Sequence, residues 1–209
     1  MKHFEAEPAA AVAIFGDHID QARSFAQTLA NDSDELGLLG PRELDKLWSR
    51  HILNSAVVAE LVKPGDKVAD VGSGAGLPGI PMAIVRPDAD FVLIEPMERR
   101  SNWMLQIVED LGLKNVRILR SRAEDETEQD FDIVTARAVA ALDKLLKLCV
   151  PLLKPGGALI ALKGSKAAEE IANAKKLEKK LGISSFEILV CGEKFLSEPT
   201  SVVKTTLDS

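Results

Sequence analysis

At 209 residues, with 46% hydrophobic and 28% charged content, the chain has the size and composition of one ordinary soluble globular domain with a sizeable core. No apolar run approaches the ~20 residues that would span a bilayer, so a membrane-spanning helix is excluded. The net charge of −6 argues against blanket adhesion to nucleic acid.

The opening Met-Lys-His-Phe-Glu-Ala-Glu-Pro lacks the basic-then-apolar layout of a signal peptide. A cytoplasmic location is therefore the expectation. Ala9–Ala30 carries apolar residues at helical spacing (Val12, Phe15, Ile19, Ala22, Phe25, Ala26, Leu29). Asn31-Asp32-Ser33-Asp34 and Gly37 predict its end and a loop. Pro41 suits the first turn of a second helix running to about Leu61, with Leu44, Leu47, Trp48, Ile52 and Val58 available for burial. Lys63-Pro64-Gly65-Asp66 predicts a turn, and the character of the chain changes there. Residues 1–62 thus read as a helical extension, and 63–209 as the main domain, a single compact unit.

From residue 67 short apolar strands (67–71, 90–95, 115–119, 131–136, 157–162) alternate with helices (79–86, 98–111, 141–153, 166–181). Alternation at this spacing calls for an α/β fold, a parallel sheet with crossover helices on both faces. Ser185–Cys191 and Ser201–Thr206 are two further β-rich runs, read as a C-terminal antiparallel strand pair added to that sheet. Cys149 and Cys191 lie in apolar surroundings without metal-site spacing, so buried thiols and no metal are expected.

Charge is unevenly spread. Residues 1–60 hold five basic and ten acidic groups, whereas 99–122 hold six basic (Arg99, Arg100, Lys114, Arg117, Arg120, Arg122) against two acidic. Residues 163–180 hold six lysines against three glutamates. These segments are either solvated, paired helix faces or a restricted basic face.

The densest signal is Val68–Pro81, Val-Ala-Asp-Val-Gly-Ser-Gly-Ala-Gly-Leu-Pro-Gly-Ile-Pro. A strand runs into a loop with glycines at 72, 74, 76 and 79, where a missing Cβ lets backbone approach a ligand. The helix that follows should offer free N–H groups to a polar ligand end. Glu95 closes the next strand, 19 residues after Gly76, where doubly wound folds hold ribose hydroxyls. An adenosyl cofactor is implied, and the loop alone fits nicotinamide enzymes or users of S-adenosylmethionine. Gly-Ser-Gly-Ala-Gly is tighter than the Gly-x-Gly-x-x-Gly that admits a pyrophosphate, which favours S-adenosyl-L-methionine.

Leu152-Leu153-Lys154-Pro155-Gly156-Gly157 before the fifth strand, followed by the strand pair, resembles the class I S-adenosylmethionine-dependent methyltransferase (Rossmann-like) fold. More specific are Leu47-Trp48-Ser49-Arg50-His51-Ile52-Leu53-Asn54-Ser55, the extension Gly-Leu-Pro-Gly-Ile-Pro, Glu95 with Arg99-Arg100, Thr135-Ala136-Arg137-Ala138-Val139-Ala140, and Leu162-Lys163-Gly164. In that order, across roughly residues 35–165, they resemble the small-subunit ribosomal RNA guanine-N7 methyltransferases, also called the glucose-inhibited division protein B family. Gly37-Leu38-Leu39-Gly40-Pro41 stands where many members have Asn-Leu-Thr; Asn54 replaces a common Asp and Trp103 a common Phe.

The resemblance implies methyl transfer to 16S rRNA of the small ribosomal subunit, with a chain large enough to act as a monomer. It assigns cofactor binding to Asp70, Gly72, Ser73, Gly74, Gly76, Leu77, Glu95, Ala123, Glu124 and Arg137. Ser121-Arg122-Ala123-Glu124 follows the third strand, where such enzymes hold the adenine ring. Asp70 is expected to order the loop and the methionine amino group. Guanine N7 carries an in-plane lone pair and no proton, so alignment rather than a general base should carry the reaction. Arg137 and Lys163, ending the fourth and fifth strands, are the candidate catalytic residues. Arginine reads guanine through O6 and N7, but N7 must stay free, which leaves Arg137 with O6, a phosphate or the cofactor carboxylate. Lys163 would contact phosphate. Arg50, His51, Arg99 and Arg100 are the candidate RNA contacts; alternatively one of the last two pairs with Glu95. Trp48 and Trp103 read as core or lid residues. A small-molecule or protein methyltransferase, or an inert S-adenosylmethionine-binding protein, are the competing readings.

Overall fold

The computed structural model describes residues 3–137 and 140–209. Its seven strands are β1 Lys67–Val71, β2 Asp90–Ile94, β3 Val116–Leu119, β4 Phe131–Arg137, β5 Leu153–Leu162, β6 Ile183–Cys191 and β7 Thr200–Leu207. They form one sheet in the order β3-β2-β1-β4-β5-β7-β6. The first five are parallel, and β7 runs antiparallel to both β5 and β6. The strand order reverses between β1 and β4, so the ligand crevice of such a sheet opens at their C-terminal ends. Asp70 lies opposite Thr135 there, and Arg137 opposite Leu162.

Side chains alternate across the strands and divide the core in two. Val68, Phe91 and Leu93 face one layer, which contains Ile80, Met82, Met104 and the N-terminal residues Phe15, Phe25, Leu29, Trp48 and Ile52. Ala69, Val71, Val92 and Ile94 face the other, against Leu142, Leu145, Leu146 and Cys149. The N-terminal segment therefore shares a continuous core with one sheet face. Both cysteines are buried free thiols.

The helices are α1 Ala10–Phe15, α2 Ile19–Leu36, the single turn α3 Asn54–Ala56, α4 Gly79–Val85, α5 Glu98–Asp110, α6 Leu142–Cys149, α7 Ala167–Ala174 and α8 Glu178–Leu181. Several depart from the expectation. The helix predicted to end before Asn31 continues to Leu36, closed by Gly37 in the left-handed region. Its polar residues find partners: Ser33 Oγ donates to the Leu29 carbonyl at 2.5 Å, and Asp32 accepts from Trp103 Nε1 at 2.8 Å. Trp103 is thus a core residue tied to α2, its ring centroid 6.4 Å from that of Phe25.

The helix expected over 41–61 is not regular. Pro41–Lys46 is 3₁₀, Leu47–Leu53 is π-helical, α3 follows, and Val57–Leu61 is again 3₁₀. Leu47, Trp48, His51, Ile52, Leu53, Ser55, Ala56, Val57 and Val58 are all buried. That set covers more of the circumference than the single stripe of a surface helix, and the winding changes along it. The helix expected over 141–153 stops at Cys149, with a 3₁₀ turn at Val150–Leu152, because Pro151 has no N–H to continue it. The one expected over 166–181 is broken at Lys175–Leu177. There Lys175 and Lys179, and Lys176 and Lys180, stand four apart as like charges.

Lys154-Pro155-Gly156-Gly157 is not a turn ahead of the fifth strand but an irregularity inside it. Phe131 pairs with Leu153 and Ile133 with Ala158, so the register shifts across those residues. Gly156 has φ +73°, and its N–H donates to the Asp208 carbonyl at 2.8 Å.

Candidate active site

The loop after β1 is pinned to the end of β2. The N–H groups of Gly72 and Ser73 both donate to the Ile94 carbonyl, at 2.9 and 3.2 Å. Ser73 Oγ donates to the Asp70 carbonyl at 2.9 Å. Asp70 is fully buried; Oδ2 accepts the Gly79 N–H at 3.0 Å, while Oδ1 has no hydrogen-bond partner. Burial drives its pKa up to about 7, against the lowering effect of the Gly79 N–H, the nearby Ser73 hydroxyl and the Arg137 charge. Two glycines are sterically required. A Cβ on Gly79 would lie 2.7 Å from Asp70 Oδ2, and one on Gly76, which has φ +73°, would lie 2.3 Å from Ile80 Cδ1. Leu77 is buried beside them, and its peptide bond to Pro78 is cis.

The helix start was expected to offer free N–H groups. Instead, Gly79 N–H is taken by Asp70 and Ile80 N–H by the Gly76 carbonyl at 2.8 Å. The donors at the start of α4 thus order the loop itself.

Glu95 is 3% exposed and joins the loop to the end of β2. Its Oε2 accepts from Gly74 N–H and its Oε1 from Met97 N–H, each at 2.9 Å. Each carboxylate oxygen keeps a further lone pair. Neither arginine pairs with it: Arg100 Nη2 donates across to the Gly37 carbonyl at 3.2 Å, and Arg99 is exposed. Arg117, Arg120 and Arg122 sit in exposed ion pairs with Glu128, Glu98 and Glu124, so part of the basic segment is a solvated, paired face. Ala123 is buried and Glu124 exposed on a 3₁₀ turn after β3.

At the end of β4, the strand beside β1, a cavity of about 530 Å³ collects residues from four separated segments. Glu43, Arg50, His51 and Asn54 come from the irregular N-terminal helix, and Arg137 from the end of β4. Leu162–Ser165 and Pro199–Ser201 close it. Arg99 and Arg100 are not among its walls. Arg137 Nη2 meets His51 Nδ1 at 2.9 Å, and Nη1 donates to the Arg50 carbonyl at 3.4 Å. His51 Nε2 lies 2.8 Å from Glu43 Oε2, and Arg50 Nη1 lies 3.7 Å from the same oxygen. Burial, followed by the Arg137 charge, holds His51 below the ordinary histidine value.

Lys163 lies in the same cavity, but its ammonium is committed. Nζ pairs with Glu170 Oε2 at 2.8 Å and donates to the Ala140 carbonyl at 2.6 Å. The same Glu170 oxygen accepts Leu142 N–H at 2.8 Å, which ties the start of α6 to α7. Ala138 and Val139 of the Ala-Arg-Ala-Val motif lie outside the described residues.

Sequence reasoning singled out Arg137, Arg50, His51 and Lys163 but missed Glu43, Thr200 and Ser201. Glu43 stands eight residues before His51, two turns away on a regular α-helix; only the 3₁₀ and π winding brings the two together. Thr200 Oγ1 donates to the Asn54 carbonyl at 3.1 Å, a contact between residues 146 apart that has no local signature. The acidic residue flanking an Arg-His pair was the one available signal, and it did not specify contact.

The fold is found widely among methyltransferases. The structure of M. jannaschii TYW2 in complex with AdoMet matches with TM-score 0.60 and 21% identity, over 76% of each chain. A SAM dependent methyltransferase from Aquifex aeolicus matches with TM-score 0.58 and 22% identity, over 84% of this chain and 98% of that one. Sequence comparison is narrower. The chain is 53% identical over 204 residues to a protein of Leifsonia xyli named Ribosomal RNA small subunit methyltransferase G, with 97% of each covered. It is 48% identical over 209 residues to the protein of that name from Mycolicibacterium smegmatis, over 97% of this chain and 88% of the other. The family model described as "GidB: rRNA small subunit methyltransferase G" matches residues 18–199, and the chain belongs to that family.

Proposed function

We propose that this chain transfers a methyl group from S-adenosylmethionine to N7 of a guanine in small-subunit (16S) ribosomal RNA. The observation that carries this reading is a juxtaposition at the sheet's switch point: Asp70 of the Asp70–Gly79–Glu95 cradle lies opposite Thr135, two residues before Arg137, the cavity guanidinium that no described carboxylate contacts. The cradle fits the cofactor. Asp70 Oδ1 is a buried acceptor without a donor, suited to the methionine ammonium. Glu95 keeps acceptor capacity for ribose hydroxyls. Gly72, Ser73, Gly74, Leu77, Ala123 and Glu124 complete the binding surface. When bound, the cofactor supplies an electrophilic methyl group on a sulfonium.

The work of the protein is alignment. Guanine N7 needs no base, and His51 cannot act as one, because both ring nitrogens are engaged. Arg137 holds the substrate through O6 or a phosphate, leaving N7 free, and its fixed charge and N–H groups favour the shifting charge. Lys163, neutralised by Glu170, holds the wall around Arg137 and offers its remaining N–H to phosphate. Arg50 at the mouth, with Arg99 and Arg100, meets RNA; the part of His51 runs through Arg137. Residues 1–62 act as a helical extension over the cofactor-binding sheet. One chain carries every group invoked, so the enzyme acts as a monomer, in the cytoplasm where its substrate is made. No helix among the described residues is long and apolar enough to cross a membrane.

The test is methyl transfer from labelled S-adenosylmethionine to small subunits taken from cells lacking this protein, with the nucleoside identified by mass. One new 7-methylguanosine is expected. Cofactor binding with no label in RNA would overturn the assignment.

A further inference from the structure

We infer that Glu43 and His51 are positioning residues for Arg137: a fixed chain from the Glu43 carboxylate through a neutral imidazole to the guanidinium aims the remaining Arg137 N–H groups into the cavity. The inference rests on the reading of Arg137 given above and adds to it the device that holds the side chain. Guanidinium donates and cannot accept. At 2.9 Å from Arg137 Nη2, His51 Nδ1 must therefore present its lone pair. The proton then belongs to Nε2, which donates to Glu43 Oε2 at 2.8 Å. This fixes the tautomer, a role a second partner commonly plays for histidine.

The charged groups facing the ring are Arg137 from β4, and Glu43 and Arg50 from the N-terminal segment; Lys163, across the cavity, is paired with Glu170. Protonation of His51 would turn Nδ1 from acceptor into donor and set two cations face to face at that short distance. Arg137 would then be released. The burial and the Arg137 charge that keep the ring neutral place this event below the ordinary histidine range. The wild-type enzyme is thus expected to lose kcat on acidification through a His51 ionisation.

Two measurements test this. Long-range proton–nitrogen correlation on the histidine-labelled protein should show His51 as the Nε2–H tautomer, still neutral at a pH just below the ordinary histidine value. An Nδ1–H tautomer, or an imidazolium at pH 7, overturns the inference whatever the reaction is. The second is the pH profile of kcat on small subunits at saturating S-adenosylmethionine. His51→Leu is expected to lower kcat by about 100-fold, the scale of a misplaced catalytic group, with cofactor affinity little changed. His51→Asn, which can offer Oδ1 to Arg137, should restore much of that loss and lack the acid limb. Glu43→Gln, which removes the charge that favours imidazolium, should move the limb to lower pH. A limb that persists in His51→Asn, or one that Glu43→Gln moves upward, overturns the inference. If the wild type transfers no methyl group to RNA, the functional reading fails, while the tautomer still decides the positioning. If His51→Leu does not fold, the tautomer and the Glu43→Gln profile decide.

Discussion

Replacing Asp70 with Asn should stabilise the cofactor-free protein while abolishing tight cofactor binding. Asp70 is fully buried, and its pKa is driven up to about 7 from an ordinary 3.8. At 1.36 kcal/mol per pK unit, the buried charge destabilises the folded state by about 4 kcal/mol once it is ionised. Asn keeps an oxygen for the Gly79 N–H but places an amide N–H₂ where Oδ1 now lacks a partner. An orphaned buried donor costs about 1–3 kcal/mol, leaving a net gain of about 2 kcal/mol at pH 8.5. The sign follows from linkage. Between pH 3.8 and about 7 the folded protein holds a proton that the unfolded chain has lost, so stability falls as pH rises through that window. The advantage of the Asn variant should therefore shrink by about 2 kcal/mol on going from pH 8.5 to 5.5. Urea unfolding of both proteins at the two pH values measures it. A gap that stays constant with pH, or widens on acidification, would refute the account of a desolvated carboxylate. Calorimetric titration adds the functional half. An ammonium requires ionised Asp70, so wild-type affinity for S-adenosylmethionine should weaken about tenfold per pH unit below 7, and the variant should bind weakly throughout.

Gly79→Ala puts a Cβ 2.7 Å from Asp70 Oδ2 and 3.0 Å from Leu93, both inside the packed core. A loss of about 1–3 kcal/mol in urea unfolding is expected, together with weakened cofactor affinity; unchanged values would show that the cradle is loose. The Lys163–Glu170 pair should show a coupling of about 1–2 kcal/mol in a double-mutant cycle of Lys163→Met and Glu170→Gln, read by thermal unfolding. Coupling near zero would mean that the lysine acts only toward substrate. Arg50→Ala should reduce the slope of log affinity against log salt for small-subunit RNA by about 1. An unaltered slope would remove Arg50 from the phosphate contacts.

The parts of the fold that were legible are those whose signal is local. Parallel strands buried on both faces are short apolar runs, and β1, β2 and β4 fall within a residue of their expected limits. The glycine loop was equally plain, because positive φ and close approach leave glycine as the residue that fits. Asp32 and Ser33 misled, since both favour loops in isolation; here a distant Trp103 N–H and a carbonyl one turn back satisfy them inside a helix. The winding of residues 41–61 could not be read, because burial on several sides decides it. The site divides in the same way. Asp70 and Glu95 announce themselves by spacing from the loop, whereas Glu43 reaches the cavity through an irregular winding and Thr200 and Ser201 through tertiary packing. The raised pKa of Asp70 is a property of burial and has no counterpart in the sequence.

The two basic side chains at the ends of β4 and β5 are held in opposite ways, and the contrast bears on how a chain of net charge −6 handles a polyanion. Lys163 is neutralised by a carboxylate at 2.8 Å. Arg137 is held by a carbonyl and a neutral imidazole, and no described carboxylate lies within ion-pair distance of it. A contacting carboxylate would fix the guanidinium more strongly but would also cancel its field. Neutral acceptors fix its direction and leave the charge for whatever enters. Burial lowers the pKa of Arg137, against the attraction of the more distant Asp70 and Glu43, but guanidinium stays charged because its ordinary value is so high. An oriented, half-buried cation with no carboxylate in contact favours an anionic or electron-rich group more than an equal charge on the surface. On the proposed reading, such a group would let an acidic protein fix a nucleotide in its site without binding nucleic acid indiscriminately over its whole surface.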